Sequence, residues 1–275
     1  MNWNDIDRMF HRAFRFCFSK KKLLFTYPLV ASCGIFINLF RILSIGAGDW
    51  VKLSLGFFPI FVTASLLLSA GIVLTRAYHN EVKGVAFSFR DLSKKSWNLM
   101  VAAAYLTLPL SMAYVMFLTV IGFFYVLKEI PLVGVLMSLL LSFVPFLLVL
   151  SIIVLILVNV LVLFFVTPAI ALRSECSLDL FLRIARSIKE RVLTHVALLS
   201  LALISVSAVL GVLYLAGHVT ASTYMIGEGI LPKLAQSLVT SLAFSALCTP
   251  LVIFFFNFAA ESYVLLRRSV GASSI

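Results

Sequence analysis

Long runs of apolar residues alternate along the chain with short connectors that carry most of its charged residues. Each run is longer than the roughly 20 residues that an α-helix needs to cross the hydrocarbon core of a bilayer. The runs are Leu23–Leu43, Leu53–Tyr78, Trp97–Leu127, Leu132–Val166, Leu193–Ala216 and Leu234–Leu266. The pattern predicts an all-α fold, a polytopic membrane helix bundle with six transmembrane helices.

The composition agrees with this class of protein. Of the 275 residues, 62% are hydrophobic and 12% are charged, whereas soluble domains carry about 25% charged residues. A water-soluble core is therefore excluded. We expect a single integral-membrane domain over 1–275, with a cytoplasmic amphipathic segment at 1–22, the six-span bundle at 23–266 and a cytoplasmic tail at 267–275.

The positive charges are distributed unequally between the two sides of the predicted bundle. Six spans place both termini and the connectors Arg76–Lys95 and Arg173–Arg191 on one side, which then holds 18 of the 22 Lys and Arg residues. Basic residues concentrate in cytoplasmic loops, so we expect a multi-pass protein of the cytoplasmic (inner) membrane with cytoplasmic termini. A seven-span arrangement would place Arg173–Arg191 outside and is rejected. The net charge of +11 needs no nucleic acid to explain it.

Two of the apolar runs are too long for a straight crossing. Trp97–Leu127 has 31 residues and Leu132–Val166 has 35, which as helices would measure about 46 and 52 Å, against a hydrocarbon core of about 30 Å. Pro109 and Pro145 lie inside these runs and predict kinks. Broken helices can form substrate sites in transporters, but prolines that merely bend a membrane helix are more common.

A basic amphipathic helix is predicted before the fifth run. Its apolar residues recur at intervals of three and four: Leu178, Phe181, Leu182, Ala185, Ile188 and Val192. Arg183, Arg186 and Lys189 fall on the other side of each turn. We expect this helix to lie at the membrane interface and these three residues to contact anionic lipid head groups.

Two further segments resemble it. At the N-terminus, one set of residues forms an apolar face opposite a basic one: Ile6, Phe10, Ala13, Phe14 and Cys17 against Arg8, His11, Arg12 and Arg15. Phe89, Leu92 and Trp97 form a weaker case before the third span. Such a segment before spans one, three and five suggests three repeated helical hairpins. A membrane protein without repeats but with short basic loops would show the same pattern, so both interpretations stay open.

Two stretches carry a resemblance to known proteins. The first is Thr167-Pro168-Ala169-Ile170-Ala171-Leu172, which is followed by Glu175 and the basic amphipathic helix. The second is Glu261-Ser262-Tyr263-Val264-Leu265-Leu266-Arg267. They resemble a broad group of six-span bacterial inner-membrane proteins that includes the membrane domain of some glycerophosphodiester phosphodiesterases. The resemblance implies this architecture and transfers no catalytic residue, because the phosphodiesterase domain has no counterpart here.

Residues that could perform chemistry are present but not arranged as a known site. The histidines His11, His79, His195 and His218 share no metal-ligand spacing, and Cys17, Cys33, Cys176 and Cys248 form no CxxC pair. Val30-Ala31-Ser32-Cys33 resembles a lipoprotein cleavage box, but the apolar run continues past it, as in a retained span. We expect no cofactor, no metal and no enzymatic activity.

Polar residues inside the spans are the remaining candidates. Asn38, Asn159 and Asn257 lie where an unpaired amide is costly, so each is expected to face another helix or a wet cavity. Helix-to-helix bonding is the favoured interpretation. The alternative is a polar path between spans four and six that includes Asn159, Asn257 and Pro145. Ser207 and Gly211 predict close packing of span five.

Three classes of function are compatible with these features. The first is a non-enzymatic multispan protein that organises, assembles or regulates other membrane components, with lipid head groups and a membrane protein as partners. The second is a transporter or permease for a small molecule or lipid. The third, a membrane-embedded enzyme, needs a convergent set of reactive groups that the sequence does not supply.

Overall fold

The computed structural model describes residues 3–128, 143–173, 184, 186, 188–190, 192–223 and 230–271. These residues are 94% helical and include no strand. The helices are α1 Trp3–Arg15, α2 Lys20–Leu43, α3 Asp49–Val82, α4 Phe89–Lys128, α5 Phe143–Leu161, α6 Thr167–Arg173, α7 Val192–Thr223 and α8 Ile230–Gly271. A 3-10 turn at Phe16–Phe18 joins α1 to α2, and a π-helical turn at Val162–Val166 joins α5 to α6.

Six helical segments are long and apolar enough to cross a membrane. They are Lys20–Leu43, Ser54–Val82, Phe89–Phe124, Val149–Arg173, Val192–Thr220 and Ala235–Arg267. Each corresponds to one apolar run of the sequence. The prediction of an all-α bundle with six spans is confirmed, and the chain is an integral membrane protein.

The backbone irregularity of span four lies away from the two predicted kinks. α4 is assigned as one helix of 40 residues through Pro109, and Pro145 falls in the first described turn of α5. The wide turn occurs instead at Val162–Val166, where the backbone N–H of Thr167 bonds to the carbonyl of Val162, five residues back. Pro168 follows and has no N–H to offer the carbonyl of Phe164, which accounts for the wider turn.

The connectors before spans one and three differ in shape. α1 is a separate helix that ends before the 3-10 turn, whereas the segment at Phe89–Trp97 forms the first turns of α4 itself. Repeated units would be expected to share these shapes, so this difference favours a bundle without internal repeats.

α3 lies at the centre of the bundle and contacts α2, α4, α6 and α8. Leu68 and Ile72 on α3 are fully buried and pack with Ala103 of α4 and Ile170 of α6. Gly71 brings α3 close to α8, because a Cβ atom at this position would overlap the ring of Phe256. The small residue at Gly71 therefore fixes the closest approach of these two spans.

Span five was predicted to use Ser207 and Gly211 for close packing, and this prediction is wrong for the part of the chain that the structure describes. Both residues are exposed, and no heavy atom there lies within 4 Å of a Cβ built on Gly211. α7 instead buries Leu198, Leu199 and Ala202 in its first turns. Ser207 and Gly211 therefore lie on the side of the helix that faces away from the described core.

α1 packs its apolar face against α8. Met9 and Ala13 are buried, and the ring of Phe10 meets that of Phe254 edge-on at 5.2 Å between centroids. Phe14, which the sequence pattern placed on the same face, is 53% exposed and contacts Phe18. The predicted amphipathic helix is present, and its apolar face, apart from Phe14, is covered by protein.

Candidate functional site at the basic end of the bundle

Several segments meet at one end of the bundle, which we call the basic end. They are α1, the start of α2, the last turns of α3 with the connector 83–88, the start of α4, the end of α6, the described residues between 184 and 190, and the last turns of α8. Side-chain contacts join them. The Arg76 guanidinium donates to the carbonyl of Ala171 at 2.9 Å and to the Ser96 hydroxyl at 2.8 Å. Arg173 donates to the hydroxyl of Tyr263 at 2.8 Å. The described parts of the basic segments that the six-span arrangement assigns to one side therefore lie together.

A buried ion pair joins α2 to α3 at this end. The Lys22 side chain is fully buried, and its ammonium contacts the carboxylate of Glu81, whose side chain is 21% exposed. The ammonium also donates to the carbonyl of Phe16 at 3.3 Å and lies 5.0 Å from the ring centroid of Tyr78. A buried cation needs such partners, because removing it from water costs several kcal/mol.

A second carboxylate joins three helices. Glu261 on α8 is 12% exposed, and its Oε1 accepts a hydrogen bond of 2.6 Å from the Tyr78 hydroxyl of α3. The same oxygen accepts from Arg12 of α1 at 3.4 Å. The pairs Lys22 with Glu81 and Arg12 with Glu261 thus lie on either side of Tyr78, and together they hold α1 and α2 against the core.

Asn257 and Cys17 form the deepest polar contact between α1 and α8. The Asn257 amide is fully buried and donates to the carbonyl of Ala13 at 3.2 Å, and it lies 3.9 Å from the Cys17 sulfur. Burial raises the pKa of the Cys17 thiol to about 12, although the charge of Lys22 and the hydrogen bond from Asn257 act in the opposite direction. The thiol is therefore protonated at neutral pH.

Cys17 is expected to resist alkylation in the folded protein. Since the thiolate is the reactive form, raising the pKa from 9.0 to about 12 lowers the reactive fraction near pH 8 by about a thousandfold. Iodoacetamide labelling followed by peptide mass spectrometry should show little modification of Cys17 until the protein is denatured. N257A should speed the labelling by loosening α1. Rapid labelling of Cys17 in the native wild-type protein would contradict this arrangement.

A cavity of about 370 Å³ opens beside α1. We call it the α1 cavity. Its polar wall is formed by Asp5, Arg8, Arg12, His79, Lys83 and Glu261. Apolar side chains of α6 and α8 complete it, among them Leu172, Val264 and Leu265. The cavity therefore combines charges of both signs with an apolar wall that continues along a membrane span.

No protein-family model, no curated protein and no solved structure matches the chain. The resemblance to the six-span inner-membrane group therefore stays a prediction. Within the ranges that the structure describes, no group of three or more His, Cys, Asp or Glu side chains is placed to hold a metal ion.

The asparagines predicted to form a polar path occupy different surroundings. Asn257 binds α1, as described above. Asn159 on α5 is 4% exposed, and its amide nitrogen has no hydrogen-bond partner among the described residues. No hydrogen bond joins Asn159 to Asn257 among the described residues, and Pro145 lies at the opposite end of α5. The polar path of spans four and six stays a prediction.

The predicted lipid contacts before span five lie partly within the described chain. Arg183 lies outside the described residues. Arg186 and Lys189 are exposed, while Ile184 and Ile188 pack against the core. Of the predicted apolar face, Ile188 is therefore covered, whereas Val192 is 49% exposed. Leu178, Phe181, Leu182 and Ala185 lie outside the described residues. The described residues agree with the amphipathic pattern only in part. Contact of Arg186 and Lys189 with lipid stays a prediction.

A second cavity, of about 520 Å³, lies between α2 and α8 toward the other end of the bundle. Polar side chains from both helices line it, including Asn38, Arg41, Thr240 and Ser241. The Asn38 amide donates to the Ser241 hydroxyl, as expected for helix-to-helix bonding. Gly34 permits this approach, because a Cβ there would lie 2.9 Å from the hydroxyl oxygen of Ser245.

Proposed function

We propose that this protein is a non-enzymatic component of the cytoplasmic membrane that organises, assembles or regulates other membrane components through its basic end. In this proposal the basic end and both termini face the cytoplasm. A reporter fused to either terminus should then be active on the cytoplasmic side. The proposal rests most directly on the dense set of exposed basic side chains around the docked α1.

The two kinds of charge at this end have different surroundings. The charges closest to the core, such as Lys22 and Glu261, are paired with other side chains and fix the positions of the helices. Other basic residues of the segments at this end are exposed: Arg8, Arg15, Lys20, Lys21, Arg90, Lys94, Lys95, Arg186 and Lys189. A surface on which one charge sign predominates attracts partners of the other sign and speeds their association.

Anionic lipid head groups and an acidic segment of another membrane protein both fit such a surface. Each basic residue near an anionic membrane surface contributes about 1 kcal/mol to the attraction. Lipid alone would hold the bundle at a given depth, whereas a protein partner would give the surface an organising role. We therefore include both as partners.

Native mass spectrometry of the tagged protein, extracted gently with its surrounding lipid, tests this proposal. We expect a stoichiometric protein partner whose retention falls in K20Q/K21Q, because both lysines are exposed at the basic end. R41Q/K52Q is the matched control, since it removes two exposed positive charges elsewhere. Equal loss of the partner in both variants, or a wild-type chain without a protein partner, would contradict the organising role.

The cavity between α2 and α8 favours transport as a second candidate function. Its volume of about 520 Å³ lies in the range of small-molecule sites, roughly 300–1,000 Å³. In the same experiment, a small molecule retained by wild type and lost in N38L/S241L would support transport. Both substituted side chains line this cavity.

A further inference from the structure

We propose that the α1 cavity binds the head group of a phospholipid that carries both a phosphate and a primary amine, as phosphatidylethanolamine does. The inference rests on the proposed function in one respect, namely that the basic end lies at a membrane surface. It adds a defined site and a defined class of head group to the general attraction of a basic surface for lipid.

Two basic side chains of the cavity are available for a phosphate. Arg12 is held by Glu261. Arg8 and Lys83 both line the cavity, and neither forms an ion pair with an acid in the described part of the chain. Charge-assisted hydrogen bonds from Arg and Lys to phosphate are among the stronger ones in proteins. We assign the phosphate to these two residues.

The acidic residues of the cavity select the rest of the head group. Asp5 and Glu261 line the same space. Arg12 and Tyr78 both bond to Oε1 of Glu261, so its Oε2 and the Asp5 carboxylate are the acceptors that a ligand could meet. A purely anionic head group would bring its charge close to these two carboxylates. A primary ammonium has three donors for these carboxylate oxygens. A head group with one charge of each sign therefore matches the cavity better than phosphatidylglycerol does.

The apolar wall indicates that the ligand is a lipid and that it enters from the membrane. Leu172, Val264 and Leu265 belong to spans four and six or to their ends, and they line the cavity together with Val82. Burying the CH₂ groups of a lipid against such a surface stabilises the complex. Soluble glycerophosphoethanolamine has the same charges but lacks this contribution.

Native mass spectrometry of delipidated protein with equal amounts of phosphatidylethanolamine, phosphatidylglycerol and phosphatidylcholine tests the proposal. We expect one phosphatidylethanolamine per chain, preferred by about tenfold, which corresponds to about 1.4 kcal/mol. R8Q/K83Q should lower this binding by about tenfold or more. The matched control R90Q/K94Q removes two exposed positive charges that do not line the cavity, and its binding should stay within about twofold of wild type.

The other outcomes separate the alternatives. Equal or tighter binding of phosphatidylglycerol overturns the assignment of the amine. Equal losses in both double variants overturn the cavity site and leave the general basic surface of the proposed function in place. Displacement of the lipid by an equal concentration of glycerophosphoethanolamine would show that the ligand is soluble, and it overturns the assignment of a lipid to this cavity. A chain that binds phosphatidylethanolamine as expected but retains no protein partner contradicts the organising role alone.

V82W provides a second test that leaves the charges unchanged. Val82 is 41% exposed and lines the cavity, so a tryptophan there should fill the space without disturbing the core. We expect V82W to weaken phosphatidylethanolamine binding while iodoacetamide labelling of Cys17 stays slow, which shows that α1 is still docked. Unchanged lipid binding in V82W overturns the proposal.

Discussion

Replacing Glu81 by Gln is expected to lower the free energy of unfolding by about 3 kcal/mol. The substitution leaves the Lys22 ammonium fully buried without a counter-charge, and breaking a buried ion pair in this way costs about 3–5 kcal/mol. The lower end of that range applies because the Glu81 side chain is 21% exposed, and the Phe16 carbonyl still accepts from Lys22. Denaturation by SDS in mixed micelles, followed by circular dichroism, measures the change.

The reverse substitution should cost less. In K22M the carboxylate that loses its partner is Glu81, which retains access to water, so we expect a loss of about 1–2 kcal/mol. The double variant K22M/E81Q should be more stable than the sum of the two single losses predicts, because neither charge remains. K21M, at an exposed neighbouring position, should change stability by less than about 0.5 kcal/mol. Additive losses in the double variant would show that the two charges do not interact.

Lys22 and Glu81 also show why the sequence predicted the spans but missed the network at the basic end. Hydrophobic runs are a local property, so their lengths identified all six crossing helices. In the sequence, Lys22 lies in one basic connector and Glu81 lies in another. The residues around each of them do not indicate that the two side chains meet. The contact of Tyr78 with Glu261 joins residues 183 positions apart. Such pairs depend on how spans one, two and six are packed.

Some features of the sequence do indicate that Glu81 and Asn38 have partners on other helices. Glu81 follows Tyr78 by three residues, a spacing that places both on one side of a helix, and it is an acid within a mainly basic connector. An acid in that context is a candidate partner for a nearby lysine. Asn38 was correctly predicted to bond to another helix, since a buried amide requires a partner. Its partner, Ser241, was not predictable from the pattern of one helix.

The small residues also show that the sequence of one helix does not indicate which of its sides packs against a neighbour. Ser207 and Gly211 have the spacing typical of close helix packing, yet they face away from the core, while Gly71 makes the close approach between α3 and α8. The hydrophobic pattern of a membrane helix contains little information about which side faces protein, because lipid and core are equally apolar. The position of each small residue in the packed bundle decides its role.

Gly71→Ala is therefore expected to destabilise the bundle by about 2–3 kcal/mol, in the range measured for overpacked cores. The added Cβ would overlap the ring of Phe256, with its Cζ only 2.6 Å away. Phe256 is 1% exposed and has little room to move. The same change elsewhere on α3 provides a control: Gly56 is exposed and no described heavy atom lies within 4 Å of its added Cβ. G56A should be neutral, or stabilise by up to about 1 kcal/mol.

The overlap between the added Cβ at position 71 and the ring of Phe256 can also be relieved by a substitution of Phe256 on α8. F256L removes the ring atoms that a Cβ at position 71 would meet, and by itself it should cost about 1 kcal/mol or more through lost packing. In G71A/F256L the new methyl group fills part of the space that the ring vacates. We therefore expect the double variant to be more stable than the sum of the single losses predicts, by at least about 1 kcal/mol. The same SDS titration measures all four proteins. If G71A is as stable as G56A, or if the double variant shows only additive losses, α3 and α8 are not in contact at Gly71.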